Sequence, residues 1–362
     1  MDDAAKEEQQ ALRPVDPDVA VENGAPVPEA RDLREAALVR GERRVPEGRP
    51  EEDGQSGRAE RRERWGPPRP DLDRRTALLA LGAFLVALAF AIWQGGLSIT
   101  TDHYLLVLLA PALVIRRARR YLLDFVPFAA LMVLYQECRG LAHSAHPHPF
   151  YLPQLDAEKW LFGGHVPTVT LQHWLHHAGH LSTFDRVVVD VTDIHFIVPP
   201  ALAFALWIKR RALFYRFAGT MLVLSYAGAL TFLVFPAAPP WAAARHHLLP
   251  EAVHRIGHAG HSSAHKSFLQ LGKYIASNPY AAVPSLHGGY SFLIFLFIAT
   301  LAWKTRWRWW AIGLAALYPL AQSFAVVYTA NHYVVDLLLG FAYAAGALLG
   351  VRWLWRRRGW PE

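Results

Sequence analysis

Cysteine is almost absent from this 362-residue chain: Cys138 stands alone, so no disulfide framework holds the fold. Charge is scarce too, at 19 % of residues against the roughly 25 % usual for a soluble domain. The shortage is uneven. Residues 1–75 hold 15 Lys/Arg and 19 Asp/Glu, whereas residues 76–362 hold 22 and 11, together with all 18 His. In that second part the positive charge comes in short clusters between apolar runs of membrane length. This pattern argues against a compact soluble enzyme and against a nucleic-acid binder, and for a protein of the lipid bilayer.

Aromatic residues are missing from the first 75 positions, Trp65 excepted, and Pro, Gly, Glu and Arg are abundant there. Such a segment cannot bury enough apolar surface to offset its ordering entropy, so residues 1–75 are predicted to be a disordered tail. Its start, MDDAAKEEQQ, is acidic and no apolar core follows within 30 residues, so it does not read as a signal peptide.

Eight apolar stretches follow, at about 76–94, 103–115, 121–137, 187–208, 213–235, 287–303, 309–328 and 333–354. Most approach the roughly 20 residues a spanning helix needs. The expected fold is all-α, a polytopic membrane bundle of about eight transmembrane helices over residues 76–362. Arg116–Arg120, Lys209–Arg211, Lys304–Arg308 and Arg352–Arg358 close alternate spans, so with eight spans every basic cluster falls on one side. The positive-inside rule makes that side cytoplasmic, with both termini inside and the protein in the plasma membrane. Two long loops, about 138–186 and 236–286, then lie outside and hold fourteen His between them.

Two segments at the outer ends of spans carry the chemistry. They are NPYAAVPSLHGGYSF, residues 278–292, and YTANHYVVDLLLG, residues 328–340. His332 and Asp336 are four apart and on a helix share a face, so the carboxylate can orient the imidazole and raise its basicity as a nucleophile. Ser285 is placed to cap a new helix whose first N–H groups suit an anion such as phosphate. His287, one turn in, is placed as a general acid. Ionisable groups in spans cost roughly 2.5–3.5 kcal/mol each and are functional by default.

PSLHGGYSF and HYVVDLLLG resemble the second and third motifs of the type 2 phosphatidic acid phosphatase superfamily. The resemblance implies that His332 is the nucleophile and forms a phosphohistidine, that Asp336 orients it, and that His287 protonates the leaving group. It also implies phosphate binding by Ser285 and Gly288, and chemistry needing neither metal nor cofactor. The superfamily's usual first motif, Lys-x6-Arg-Pro, is not found, and Ala325 and Val326 stand where a Ser-Arg pair is usual. With FPAAPPW at 235–241 and LDAEKWLFGGHVPTVTLQ at 155–172, the pattern looks more like the inositol phosphorylceramide synthase-like branch. A phosphate still needs positive charge, and Arg245, just after FPAAPPW, is the candidate.

Other polar groups carry weaker signals. Asp190, Asp193 and His195 lie in the outer turns of the fourth span, ahead of Pro199 and Pro200, which should kink it. Asp190 and Asp193 are candidates for binding head-group hydroxyls. His173, His177 and His180 would share a helical face suited to zinc, although an amphipathic interfacial helix accounts for them better. The expected protein is therefore an integral membrane lipid phosphatase or phosphotransferase with a site built from 236–290 and 328–340. Its expected substrate is a phospholipid or a prenyl (di)phosphate in the lipid bilayer, with no nucleic-acid partner. The rival reading is a lipid-binding or transport protein with a degenerate phosphatase site, against which the intact Ser285, His287, His332 and Asp336 argue.

Overall fold

The computed structural model describes residues 73–95, 101–145, 148–177, 181–249, 253–257 and 278–360. The expected N-terminal tail lies outside these apart from its last three residues. Among the described residues there are twelve helices: α1 (Arg74–Gly95), α2 (Thr101–Val114), α3 (Ala118–Ala145), α4 (Leu152–Leu161), α5 (Pro167–Leu175), α6 (Thr183–Ile194), α7 (Val198–Lys209), α8 (Arg211–Val234), α9 (Pro240–Arg245), α10 (Leu286–Ala302), α11 (Arg308–Tyr328) and α12 (Val334–Arg357). No strand is formed among them; the nearest thing is a pair of isolated parallel bridges, Phe150 to Ala237 and Ala237 to Ala281.

All eight apolar stretches are helical. Among the described residues, five helices are long and apolar enough to cross a membrane: Arg74–Trp93, Ala118–Leu141, Arg211–Val234, Arg308–Tyr328 and Val334–Arg357. Helices α6 and α7 make a sixth if taken together, bent by 42° at their break. The break falls just before Pro199 and Pro200, because proline lacks an N–H and its ring clashes with the preceding turn. Tyr104–Val114 and Leu286–Ala302 are shorter apolar helices.

One end of the bundle is arginine-rich. Buried Asp124 at the start of α3 accepts from Trp207 Nε1 and Arg211 Nε, both at 2.7 Å, and from Tyr215 O–H at 2.6 Å. This network joins the α2–α3 link to the α7–α8 link, so Arg116–Arg120 and Lys209–Arg211 lie at the same end. A buried carboxylate is tolerated there because it is paired and hydrogen-bonded on both oxygens. Above it the core is aromatic, with Phe125 stacked between Tyr121 at 4.5 Å and Phe214 at 4.6 Å.

At the opposite end, the segments between helices build a cap with its own core of Leu155, Val166, Ala243, Leu249, Val253, Ala330 and Tyr333. Residues 150, 236–238 and 280–282 are stitched together by backbone bonds, Phe150 N–H to Pro236 O at 2.7 Å and Ala237 N–H to Tyr280 O at 3.0 Å. The FPAAPPW segment is thus a scaffold strip beneath the cap.

Candidate active site

Ser285 ends the strip and starts α10. Its side chain accepts from Gly288 N–H at 3.3 Å, which caps the helix as the sequence suggests. Its own N–H donates to Asp336 O at 2.9 Å, so the two motifs are joined backbone to backbone. Glycines allow this approach. A Cβ at Gly340 would overlap the Ser285 carbonyl oxygen and lie 3.2 Å from Gly289 N, and one at Gly289 would lie 3.3 Å from Gly340 O. Small residues at helix contacts are the usual way membrane helices come close.

His332 lies two residues before α12, in the turn after α11. Its Nδ1 is 3.0 Å from the Ala282 carbonyl oxygen, which can only accept, so the ring carries its proton on Nδ1. Nε2 is then left with a lone pair, 3.1 Å from His287 Nδ1. Burial draws the His332 imidazole down to about 4, so the ring is neutral at ordinary pH.

Asp336 is placed differently from the expectation. Its Oδ2 accepts from Tyr333 N–H at 2.8 Å, capping α12, and lies 3.6 Å from His332 Nδ1. That spacing is too long for a hydrogen bond. The backbone carbonyl of Ala282, rather than the carboxylate, fixes the tautomer; Asp336 lies beside the ring and caps α12. The physical reason is that His332 falls outside the helix, so the four-residue spacing does not stack it over Asp336.

His195 joins the pair at the α6–α7 bend. Its ring centroid is 4.5 Å from that of His287 and 5.3 Å from that of Tyr290, on which it stacks. Its buried Nδ1 has no hydrogen-bond partner among the described residues. The proline break that places it is legible in the sequence, whereas its packing against His287 is not. Asp190 and Asp193 lie half-buried on α6, with Asp193 within electrostatic reach of Tyr104.

The other expected phosphate ligands divide. Ser285 is fully buried and turned to its capping role, and Gly288 presents its Cα to Leu337 and Phe341. Arg245 is exposed at the end of α9, its guanidinium 4.8 Å from the Trp241 ring centre. Arg255 lies 5.4 Å from the same ring. Arg255 and Arg139 are the cations whose charge reaches His287. Arg139, near the end of α3, was not anticipated; its carbonyl accepts from Asn278 Nδ2 at 2.9 Å, and its Nε is buried without a partner among the described residues. Ala325 and Val326 are buried in apolar contacts, so no cation acts from those positions.

The zinc face does not form on one helix. Helix α5 ends at Leu175, and His176 takes extended backbone with its Nδ1 3.3 Å from Asp185 Oδ1. His180 lies outside the described residues.

The paired imidazoles of His287 and His332 lie at one end of an all-helical bundle. Residues 155–350 match the PAP2 superfamily, and the chain belongs to it. It is 26 % identical over 294 residues to a phosphoinositol dihydroceramide synthase of Bacteroides thetaiotaomicron, covering 78 % of this chain and 91 % of that one. It is 25 % identical over 241 residues to an inositol phosphorylceramide synthase of Candida albicans, covering 61 % of this chain and 46 % of that one. No solved structure matches significantly. The protein is a multi-pass membrane phosphatase or phosphotransferase with a lipid substrate.

Proposed function

We propose that the protein transfers a phospho-head group from a phospholipid donor to a lipid hydroxyl through a phosphohistidine on His332. The observation that carries this reading is the 3.1 Å pairing of His332 Nε2 with His287 Nδ1 while Ala282 holds the other His332 nitrogen. In this mechanism the Nε2 lone pair attacks phosphorus and the bond to the donor's alcohol oxygen breaks. His287 gives that oxygen a proton. The acceptor hydroxyl then loses its proton to His287 and attacks phosphorus, the P–N bond breaks, and His332 returns to its starting state. Asp336, 3.6 Å from Nδ1, stabilises the positive charge that the ring gains during attack. Arg139 and Arg255 supply the positive field for phosphate that the missing motif cations would otherwise give.

The names of the two relatives favour a phosphoinositol donor and a ceramide-type acceptor over water, and hence a transferase over a phosphatase. The alternation of basic clusters favours an outward-facing site and cytoplasmic termini.

The test is a screen of purified protein with phospholipids and prenyl diphosphates, with and without ceramide, and products read by mass spectrometry. Head-group transfer to ceramide, a phosphoenzyme abolished by His332→Ala, and net retention at a chiral phosphorus are expected. Inversion would withdraw the nucleophile assignment. Release of phosphate alone would assign hydrolysis instead.

A further inference from the structure

We propose that Glu158, on α4, is a positioning residue for His332. The inference rests on the reading of His332 as nucleophile. Glu158 is fully buried, and its two carboxylate oxygens accept from Val334 N–H and Val335 N–H, each at 3.0 Å. These are the first two amides of α12. With Asp336 on Tyr333 N–H, three successive amides immediately after His332 are each held by a carboxylate oxygen.

A local cap does not need a carboxylate from a helix 176 positions earlier in the chain. Taking such a group out of water costs several kcal/mol even after relaxation. A Ser, Thr or Asn at the N-cap would satisfy one nearby amide, that of Val335, more cheaply. What a distant, bidentate partner adds is a fixed position and direction for the backbone that carries the imidazole.

The anchoring closes on itself. Gln154, one turn before Glu158 on α4, donates to Ala238 O at 2.9 Å and to Phe150 O at 2.5 Å. Ala237, beside Ala238, accepts from Ala282 N–H at 3.4 Å. The Ala282 carbonyl holds His332 Nδ1. His332 is therefore gripped on its backbone side through Glu158 and on its ring side through Ala282, and both grips trace back to α4. A shift of α4 moves both, and a misplacement of about 1 Å at a reacting group costs on the order of 10²-fold in rate.

The test compares Glu158→Gln and Glu158→Asp with the full-length wild type in mixed micelles of phosphatidylinositol and ceramide. Glu158→Gln keeps the volume and one acceptor oxygen but sets an NH2 group against the other amide. Its kcat per folded molecule should fall about 10- to 100-fold with KM nearly unchanged. The loss should be equal for natural and activated-leaving-group donors, because a misplaced nucleophile slows both alike. Glu158→Asp, which retains both oxygens on a shorter arm, should recover part of kcat. A wild-type kcat per folded molecule in Glu158→Gln, with only the thermal midpoint lowered, would overturn the proposal and leave Glu158 a structural cap. His332→Ala in the same assay separates the two claims: full turnover there would sink the nucleophile itself, whatever Glu158 does.

Discussion

The contact between α10 and α12 at Gly340 is the point where the two motifs are most sensitive to a single methyl group. In Gly340→Ala the new Cβ would overlap the Ser285 carbonyl oxygen and crowd Ser285 C and Gly289 N at 3.2 Å. All three are backbone atoms, so no side chain can rotate away. Restoring ordinary contact requires the helices to part by about 1 Å. In isolation, Gly to Ala in a helix stabilises by about 1 kcal/mol. Overpacking costs about 1–3 kcal/mol. The net effect expected is a loss of at most about 2 kcal/mol in stability. The catalytic effect is larger, because Ser285 and Asp336 share a 2.9 Å backbone bond one turn away, and parting the helices separates His287 from His332. A displacement of that size lowers turnover by about 10²-fold. Gly346→Ala on the same helix is the control, since nothing lies within 4 Å of its added Cβ. Turnover per folded molecule and thermal midpoint, measured side by side in mixed micelles, decide the matter. If Gly340→Ala and Gly346→Ala are equally active, the close approach of the two motifs is refuted.

Three further outcomes are expected. Asp336→Asn should lower kcat by about 10²-fold, at the small end for a His-orienting carboxylate, because the Ala282 carbonyl still holds the tautomer; a wild-type rate would show that its charge plays no part. Burial, with Asp336 nearby, raises the Glu158 carboxyl to about 7, above its ordinary 4.5, so its protonated form favours the folded state. The thermal-midpoint difference between wild type and Glu158→Gln should therefore shift against the wild type as pH rises from 4.5 to 7 and level off above; a shift the other way contradicts the burial argument. Cysteines introduced at Ser144 and Ser262, with Cys138 replaced, should react with an impermeant reagent on intact cells, and labelling only after lysis would invert the topology.

Helix content and membrane residence were legible because both are local. An apolar run must satisfy its own backbone bonds in lipid, and each of the eight stretches is helical, the fourth in two parts. The break at Pro199–Pro200 and the cap at Ser285 were legible for the same reason, since each depends on one or two side chains acting on adjacent backbone. The motif spacing likewise picks out His287, His332 and Asp336 from the residues alone. The partner of His332 Nδ1 was not legible. A backbone carbonyl fifty residues away carries no signature in its side chain, and Ala282 looks like any alanine. His195, Arg139 and Glu158 were hidden by the same rule: their surroundings come from helices remote in sequence, and only packing sets how far each is from His287 or from α12. The sequence determined which elements form and which groups can react. Tertiary structure decided which of those groups meet, because hydrogen bonds between distant backbone segments depend on position in space and not on residue type.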